Sequence, residues 1–390
     1  MDVFYSNFYD LIKHRPPHFR RSLLDEIDDS VRLSCIRGTR GIGKTSMLLE
    51  YAADRYPAMG PECLYINLNH FCFSEIPLSN FVQKFVERGG KLLLVDQVFK
   101  HEGWEEQLLQ CYHNYPNLRI VFTGSSVMKI ATPELKEVVR MYDLRGFSFR
   151  EYFCHKHNEQ YPSVSLPTLF AQHVEIAADI SRKYPVAEDF QHYLRTGYYP
   201  SEQEEALFVE QLVKAMNMTL EVDVIYIHQI DPSYLPRLRR LLYAIASEMG
   251  SVNVSLLSKQ IGVSRATVMN YLKYLSDARM LSMVYKPNEE YPKKPYEIYL
   301  NNTNIAQAFY PVRYSNQELN RVFLINQLLA SHKLESATCK FADYLVDSQY
   351  HLKVMNNPTR VAKPNLYYAV PDALIGKADK IPLWLFGFLY

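Results

Sequence analysis

The residues Gly38-Thr39-Arg40-Gly41-Ile42-Gly43-Lys44-Thr45 follow the spacing G-x-x-x-x-G-K-[ST], that of a phosphate-binding loop, or P-loop. Glycines let successive backbone N–H groups turn inward around anionic oxygens. A helix opening directly after the loop aims its positive N-terminus at the same anion. Lys44 would then reach the β- and γ-phosphates of ATP, and the Thr45 hydroxyl would ligate Mg²⁺. The expected nucleotide-binding set is Gly38, Thr39, Arg40, Gly41, Ile42, Gly43, Lys44, Thr45 and Ser46. The chain has only 14 glycines, and three of them fall within residues 38–43, so the cluster is not background composition.

Such a loop needs an acid at the end of a neighbouring strand to hold the shell of the metal. Lys91-Leu92-Leu93-Leu94-Val95-Asp96 supplies one, and the expected metal ligands are Thr45 and Asp96. The following residue is Gln97, where many ATPases carry a Glu that polarises the attacking water. An amide cannot take that proton, so ATP binding is expected with weakened hydrolysis. A glutamine still positions water in some GTPases. Thr123-Gly124-Ser125-Ser126 closes a further apolar run, and Ser125 is the first choice for a γ-phosphate or water contact, with Thr123 in reserve. The candidate catalytic residues are thus Lys44, Asp96, Gln97 and Ser125.

These groups can meet only if strands and helices alternate. Apolar runs at residues 33–36, 63–68, 92–95, 120–123 and 141–144 predict five strands, with helices at 46–53, 77–88 and 104–112 between them. Continuous rather than alternating apolar strands imply a parallel sheet covered on both faces. A short amphipathic helix precedes them near residue 22. Residues 150–228 read as helical, interrupted at Gly197-Tyr198-Tyr199-Pro200. Residues 229–300 read as three helices followed by two strands. After residue 315 the pattern returns to α/β, with a helix over 319–329 and strands around Tyr344, Leu352 and Tyr367.

Composition bounds the rest. The chain has 390 residues, 48% of them hydrophobic, enough for two or three domains with sizeable cores. A net charge of +1 excludes a globally basic nucleic-acid binder and leaves room for local patches. Cys35, Cys63, Cys72, Cys111, Cys154 and Cys339 form no C-x-x-C pair and no zinc spacing, which reads as reduced, buried thiols of a cytoplasmic protein. No secretory segment opens the sequence, and the apolar stretch 381–390 is too short to span a bilayer, so no membrane partner is expected.

Six stretches together resemble the bacterial and archaeal AAA+ ATPases that carry a winged helix and a C-terminal domain of unknown function. They are GTRGIGKTSMLLEY at 38–51, LLLVDQVFKHEGWEEQL at 92–108, RIVFTGSSVMKI at 119–130, LRGFSFREYF at 144–153, YLRTGYYP at 193–200 and IPLWLFGFLY at 381–390. The resemblance implies an additional-strand P-loop NTPase core with a helical lid, and Asp-Glu where this chain has Asp96-Gln97. It also implies an arginine that stabilises transition-state charge, often borrowed from a neighbouring copy, with Arg140, Arg145, Arg150 and Arg195 as candidates. The expected divisions are an N-terminal helical segment 1–30, an α/β P-loop core 31–150, a lid 151–228, a winged helix 229–305 and a C-terminal α/β domain 306–390.

Residues 253–278 read NVSLLSKQIGVSRATVMNYLKYLSDA, a helix-turn-helix. Leu257 and Ile261 mark one buried face, Gly262-Val263 the turn, and Val268, Leu272 and Leu275 the face of the second helix, capped by Ser264. Its opposite face offers Arg265, Thr267, Asn270 and Lys273 to DNA, with Lys286, Lys293 and Lys294 in a wing-like turn. Contact with a protein partner is the competing use of the same surface.

The C-terminal domain resembles restriction-endonuclease-like folds. Asp343 can fill the first acidic position, but His351-Leu352-Lys353-Val354-Met355-Asn356 lacks the second acid, so an inactive nuclease site is expected. The stretch 381–390 reads as a core strand or docking segment. The leading expectation is an ATPase with ATP and Mg²⁺ as cofactors, whose nucleotide state controls domain arrangement. The alternatives are an ATP-dependent DNA-associated protein and a non-catalytic, nucleotide-dependent interaction protein, as a homo-oligomer or with a protein partner.

Overall fold

The computed structural model describes residues 1–14, 20–58, 60–200, 204–309, 312–358 and 363–390. The chain divides into two compact units, Met1–Arg145 and Gly146–Tyr390.

In the first unit, strands β1 (Leu33–Gly38), β2 (Cys63–Asn67), β3 (Leu92–Asp96), β4 (Arg119–Ser125) and β5 (Val139–Asp143) form one sheet in the order β2-β3-β4-β1-β5. Every neighbouring pair is parallel. All five residues of β3 are buried, because helices cover the sheet and leave no solvent face for alternating polar residues. The helices are α1 (Asp2–Lys13), α2 (Leu23–Glu26), α3 (Lys44–Arg55), α4 (Leu78–Glu87), α5 (Trp104–Asn114) and α6 (Pro133–Val138). Strand β4 stands between β1 and β3, so the P-loop and Asp96 lie at the ends of strands one position apart.

The expected N-terminal helical segment contains α1 and α2, while residues 15–19 of it lie outside the described residues. Helix α1 is part of this unit's core. Phe8 is fully buried, Phe4 packs against Phe73 and Phe81, and the Tyr5 hydroxyl donates to the Pro61 carbonyl at 2.7 Å. All six cysteines are free thiols, four of them buried. Burial pushes the Cys63 and Cys111 thiols up to about 12 and Cys35 higher still, which keeps them protonated and unreactive.

The second unit opens with helices α7 (Phe149–His157), α8 (Leu166–Lys183) and α9 (Val186–His192), then a π-helical turn over Tyr193–Gly197. Helix α10 (Glu205–Met218) runs through a second π-helical stretch into α11 (Ile225–Ile227) and is followed by α12 (Leu235–Ser247). Next come β6 (Gly250–Ser251), α13 (Val254–Ile261), α14 (Arg265–Asp277), β7 (Leu281–Val284) and β8 (Glu297–Leu300). The three strands make an antiparallel sheet in the order β6-β8-β7. Asn253 and Ser264 cap α13 and α14 with their side-chain oxygens, and Gly262 takes the left-handed turn between them (φ +68°).

Helices α15 (Thr303–Gln307) and α16 (Asn316–Leu328) lead to β9 (Leu334–Ser336), β10 (Tyr344–Val346), β11 (Tyr350–Val354), β12 (Leu366–Val370) and β13 (Lys380–Pro382). These strands form a mixed sheet in chain order, antiparallel through β11 and parallel from β11 to β13.

The stretch 381–390 is a strand end followed by a buried 3₁₀ segment, Leu383–Phe388. Trp384 and Phe388 close on Phe149 of α7, together with Phe153, Phe190 and Tyr193. Gly387 lets the two segments meet, because a Cβ there would lie 2.4 Å from that of Phe149. The Ser148 hydroxyl and Arg150 Nε both donate to the Tyr390 carbonyl, at 2.7 and 2.9 Å. Among the described residues, no helix is long and apolar enough to cross a membrane.

Candidate nucleotide site

Strand β1 delivers the chain into the loop at Gly38, and α3 begins at Lys44. Gly43 takes φ +91°, a conformation that carries no penalty only in glycine, and it turns the chain into the helix. A Cβ on Gly38 would lie 2.4 Å from Ile42 Cδ1 and 2.6 Å from the Leu144 carbonyl, so this position also requires glycine. Ile42 is buried and anchors the loop, while Thr39, Arg40 and Gly43 are half-buried and Gly41, Thr45 and Ser46 exposed. The Lys44 ammonium donates to the Gly38 and Thr39 carbonyls at 2.9 and 2.7 Å, which draws it over the mouth of the loop.

Asp96 is buried at the end of β3 and carries three hydroxyl partners. Thr45 donates to its Oδ2 at 2.6 Å, Tyr65 donates to the same oxygen at 2.9 Å, and Thr123 donates to Oδ1. Burial, reinforced by the Asp96 charge and hydrogen bond, pushes the Tyr65 phenol up and keeps it a donor. A carboxylate beside a threonine hydroxyl is a hard, all-oxygen donor pair suited to Mg²⁺. Among the described residues, no group of three or more His, Cys, Asp or Glu side chains could hold a metal ion. A cation at Thr45 and Asp96 would therefore draw its remaining oxygens from phosphate and water, as Mg²⁺ at nucleotide sites does.

Gln97 follows in a left-handed conformation (φ +59°). Its N–H donates to Thr123 Oγ1 at 2.9 Å, and its side-chain oxygen accepts from Asn69 Nδ2 at 3.2 Å. Lys100 Nζ in turn donates to Asn69 Oδ1 at 3.0 Å. The Thr123 hydroxyl thus both donates to Asp96 and accepts from Gln97. Ser125 is buried in register with Gly38, beside the start of the loop.

Two contributors escaped the sequence reading. Tyr65 sits inside an apolar run on β2 and looks there like a core aromatic. Arg21 is buried and donates to the Ile42 carbonyl at 3.2 Å and the Arg145 carbonyl at 2.7 Å, bracing the loop from behind. Its partners lie 21 and 124 residues away, beyond any local signal.

The arginine candidates separate. Arg150 is buried and donates to the Tyr390 and Tyr161 carbonyls at 2.9 and 3.0 Å. Arg140 is exposed and pairs with Asp28 at 3.1 Å, and Arg195 lies 3.9 Å from Glu205. Arg145 offers its own carbonyl to Arg21.

On α14, Arg265 and Asn270 are exposed, whereas Thr267 is tied to the Ser264 cap and Lys273 is paired with Asp277. The Asn270 side-chain oxygen accepts from the Tyr291 hydroxyl at 2.8 Å. Lys293 of the adjoining turn lies 3.5 Å from Glu289. The turn itself is tied down, since the Asn288 N–H donates to the buried Glu335 of β9 at 3.0 Å. Asp343 accepts from the Val354 N–H at 3.0 Å and lies 3.8 Å from Arg321.

Residues 30–153 match the family model of an AAA domain, and residues 187–316 match that of a domain of unknown function, DUF8612. No curated protein matches the chain. Among solved structures, RuvB of Thermotoga maritima is 15% identical, with a TM-score of 0.31, over 74% of this chain and 90% of that one. AMPPCP-bound DnaA from Aquifex aeolicus is 11% identical, with a TM-score of 0.27, over 70% of this chain and 88% of that one. PCH-2 of C. elegans is 13% identical, with a TM-score of 0.27, over 71% of this chain and 66% of that one. Likenesses this weak bear on neither activity nor partners. The span 30–153 that is similar to an AAA domain holds β1 to β5, the P-loop, Asp96 and Ser125.

Proposed function

We propose that the chain is an ATP-binding AAA+-type protein that hydrolyses its nucleotide slowly and uses the bound state to act on residues 146–390. The observation that carries this reading is the Thr45 hydroxyl set 2.6 Å from Asp96, directly after a loop covered by Lys44. Backbone N–H groups of the loop and the N-terminus of α3 would hold the phosphates. Lys44 would leave the Gly38 and Thr39 carbonyls for phosphate oxygens. Mg²⁺, held through Thr45 and Asp96, would supply charge neutralisation between phosphates. Ser125 would contact the terminal phosphate.

The slow step follows from Gln97. Its side-chain oxygen already accepts from Asn69, and an amide takes up no proton from water at neutral pH. Gln97→Glu is expected to raise phosphate release by about a hundredfold while nucleotide affinity stays within a few-fold. Steady-state phosphate release by the two proteins checks this, and equal rates would remove the account of Gln97.

A second reading concerns residues 229–305. Three helices with a three-stranded antiparallel sheet support a winged helix, with the turn between β7 and β8 as its wing. We assign it to contact within the chain or with a protein rather than to DNA, because Lys273 and Lys293 have acidic neighbours and the wing is tied to Glu335. The slope of log affinity for duplex DNA against log salt is expected to be shallower than about −2, where a face neutralising several phosphates gives several units. A steep slope that flattens in Arg265→Ala would restore the DNA reading.

A further inference from the structure

Asp96 Oδ2 accepts from two hydroxyls, and only one of them, Thr45, belongs to the P-loop. The other comes from Tyr65, in the middle of the edge strand β2. Tyr65 is 7% exposed, and its ring lies nearly parallel to that of Phe8 of α1, with centroids 6.5 Å apart and planes at 23°. Contacts on the same helix hold Phe8 in turn. Phe4 meets Phe81 edge-on at 5.0 Å, and Tyr5 is bonded to the Pro61 carbonyl just before β2.

From this chain of contacts we propose that Tyr65 is a positioning residue for the metal-binding carboxylate, and that α1 sets it through Phe8, so that the N-terminal helix tunes the Mg²⁺ dependence of nucleotide binding. The inference rests on the reading of Asp96 as the metal-shell carboxylate. A carboxylate on a single side-chain stem can rotate, and its hydrogen bonds select the plane it keeps. When Thr45 turns its oxygen toward a cation, Tyr65 on Oδ2 and Thr123 on Oδ1 remain to hold that plane. Removing the phenol would free Oδ2 to rotate away from Thr45. The cost falls on cation capture and spares the contacts of Lys44 and the backbone N–H groups with phosphate.

The test measures binding of a fluorescent ATP analogue by the full chain, in EDTA and across a Mg²⁺ titration. Tyr65→Phe keeps the ring against Phe8 and deletes only the hydroxyl. It is expected to bind as the unaltered protein does in EDTA and to need about tenfold more Mg²⁺ for half-maximal enhancement, the size of one hydrogen bond to a charged group. Phe8→Leu keeps an apolar side chain but removes the flat face, and a shift of about threefold is expected. Asp96→Asn is the reference and is expected to abolish the enhancement. If Asp96→Asn removes the enhancement and Tyr65→Phe leaves the midpoint unmoved, the role of Tyr65 is overturned and that of Asp96 stands. If Asp96→Asn itself changes nothing, the reading of the metal site fails first. Affinity lost equally in EDTA and in Mg²⁺ would make Tyr65 a packing residue only. A Phe8→Leu protein that titrates like the unaltered chain would detach α1 from the site.

Discussion

Lys44→Ala is expected to weaken nucleotide binding by about a hundredfold or more while leaving the folded chain almost as stable as before. Lys44 is the first residue of α3, and its ammonium is held by two loop carbonyls at 2.9 and 2.7 Å. Both partners are neutral carbonyls and Thr39 is half-buried, so losing the ammonium removes two neutral hydrogen bonds and strands no charge. That limits the stability cost to about 1 kcal/mol. With phosphate bound, the same ammonium would make charge-assisted bonds, roughly twice as strong as neutral ones. Two such bonds account for the hundredfold change, each worth about 1.5–3 kcal/mol before the competing carbonyl contacts are subtracted. Titration of a fluorescent ATP analogue together with a thermal melt measures both quantities. Affinity preserved within threefold would refute the phosphate role of Lys44, and a collapsed melt would show that Lys44 is structural instead.

The second large effect lies far from that chemistry in sequence. Phe149→Ala is expected to destabilise the unit Gly146–Tyr390 by about 3–5 kcal/mol. Phe149 is fully buried and meets six aromatic rings, those of Tyr152, Phe153, Phe190, Tyr193, Trp384 and Phe388. Truncation removes apolar area and also opens a cavity that rigid neighbouring rings cannot collapse into. Val174→Ala on α8 is the control: that side chain is 37% exposed, so a change within about 0.5 kcal/mol is expected. Urea unfolding followed by tryptophan emission is suited to the comparison, because Trp384 itself lies against Phe149. A loss below about 1 kcal/mol for Phe149→Ala would mean that the closing segment 383–388 is held by other contacts.

The two variants mark different degrees of legibility. Lys44 could be read directly, because a phosphate loop is local: eight consecutive residues and the helix after them contain all the necessary chemistry. Asp96 could also be read, since an acid ending a buried apolar strand has few other uses. The strands of the first unit were legible for the same reason. A parallel sheet covered on both faces needs unbroken apolar runs, and residues 33–36, 63–68, 92–95 and 120–123 supply them.

Phe149 was not legible as a keystone. Residues 144–153 look like the end of one element and the start of another, and two of the aromatic partners of Phe149, Trp384 and Phe388, come near the end of the sequence, in a 3₁₀ segment that carries no strong periodicity. The same limit hid α1. Its apolar residues mark an amphipathic helix, but only the sheet order makes β2 the edge strand that α1 covers. On α14, Arg265 and Asn270 are exposed, while Lys273 turns along the helix to Asp277, a pairing that helical spacing permits and does not single out.

What the sequence alone determined about this protein is the phosphate loop, the acid that faces it, the amide at position 97 and the alternation of elements behind them. Each of these rests on residues adjacent in the chain or on a repeating spacing. The tertiary structure decided the rest: that Tyr65 and Thr123 grip the same carboxylate as Thr45, that Arg21 braces the loop, and that Arg150 is bound to a carbonyl at Tyr390. Those contacts join residues tens to hundreds of positions apart. Their partners follow from strand order and close packing, which no local pattern encodes.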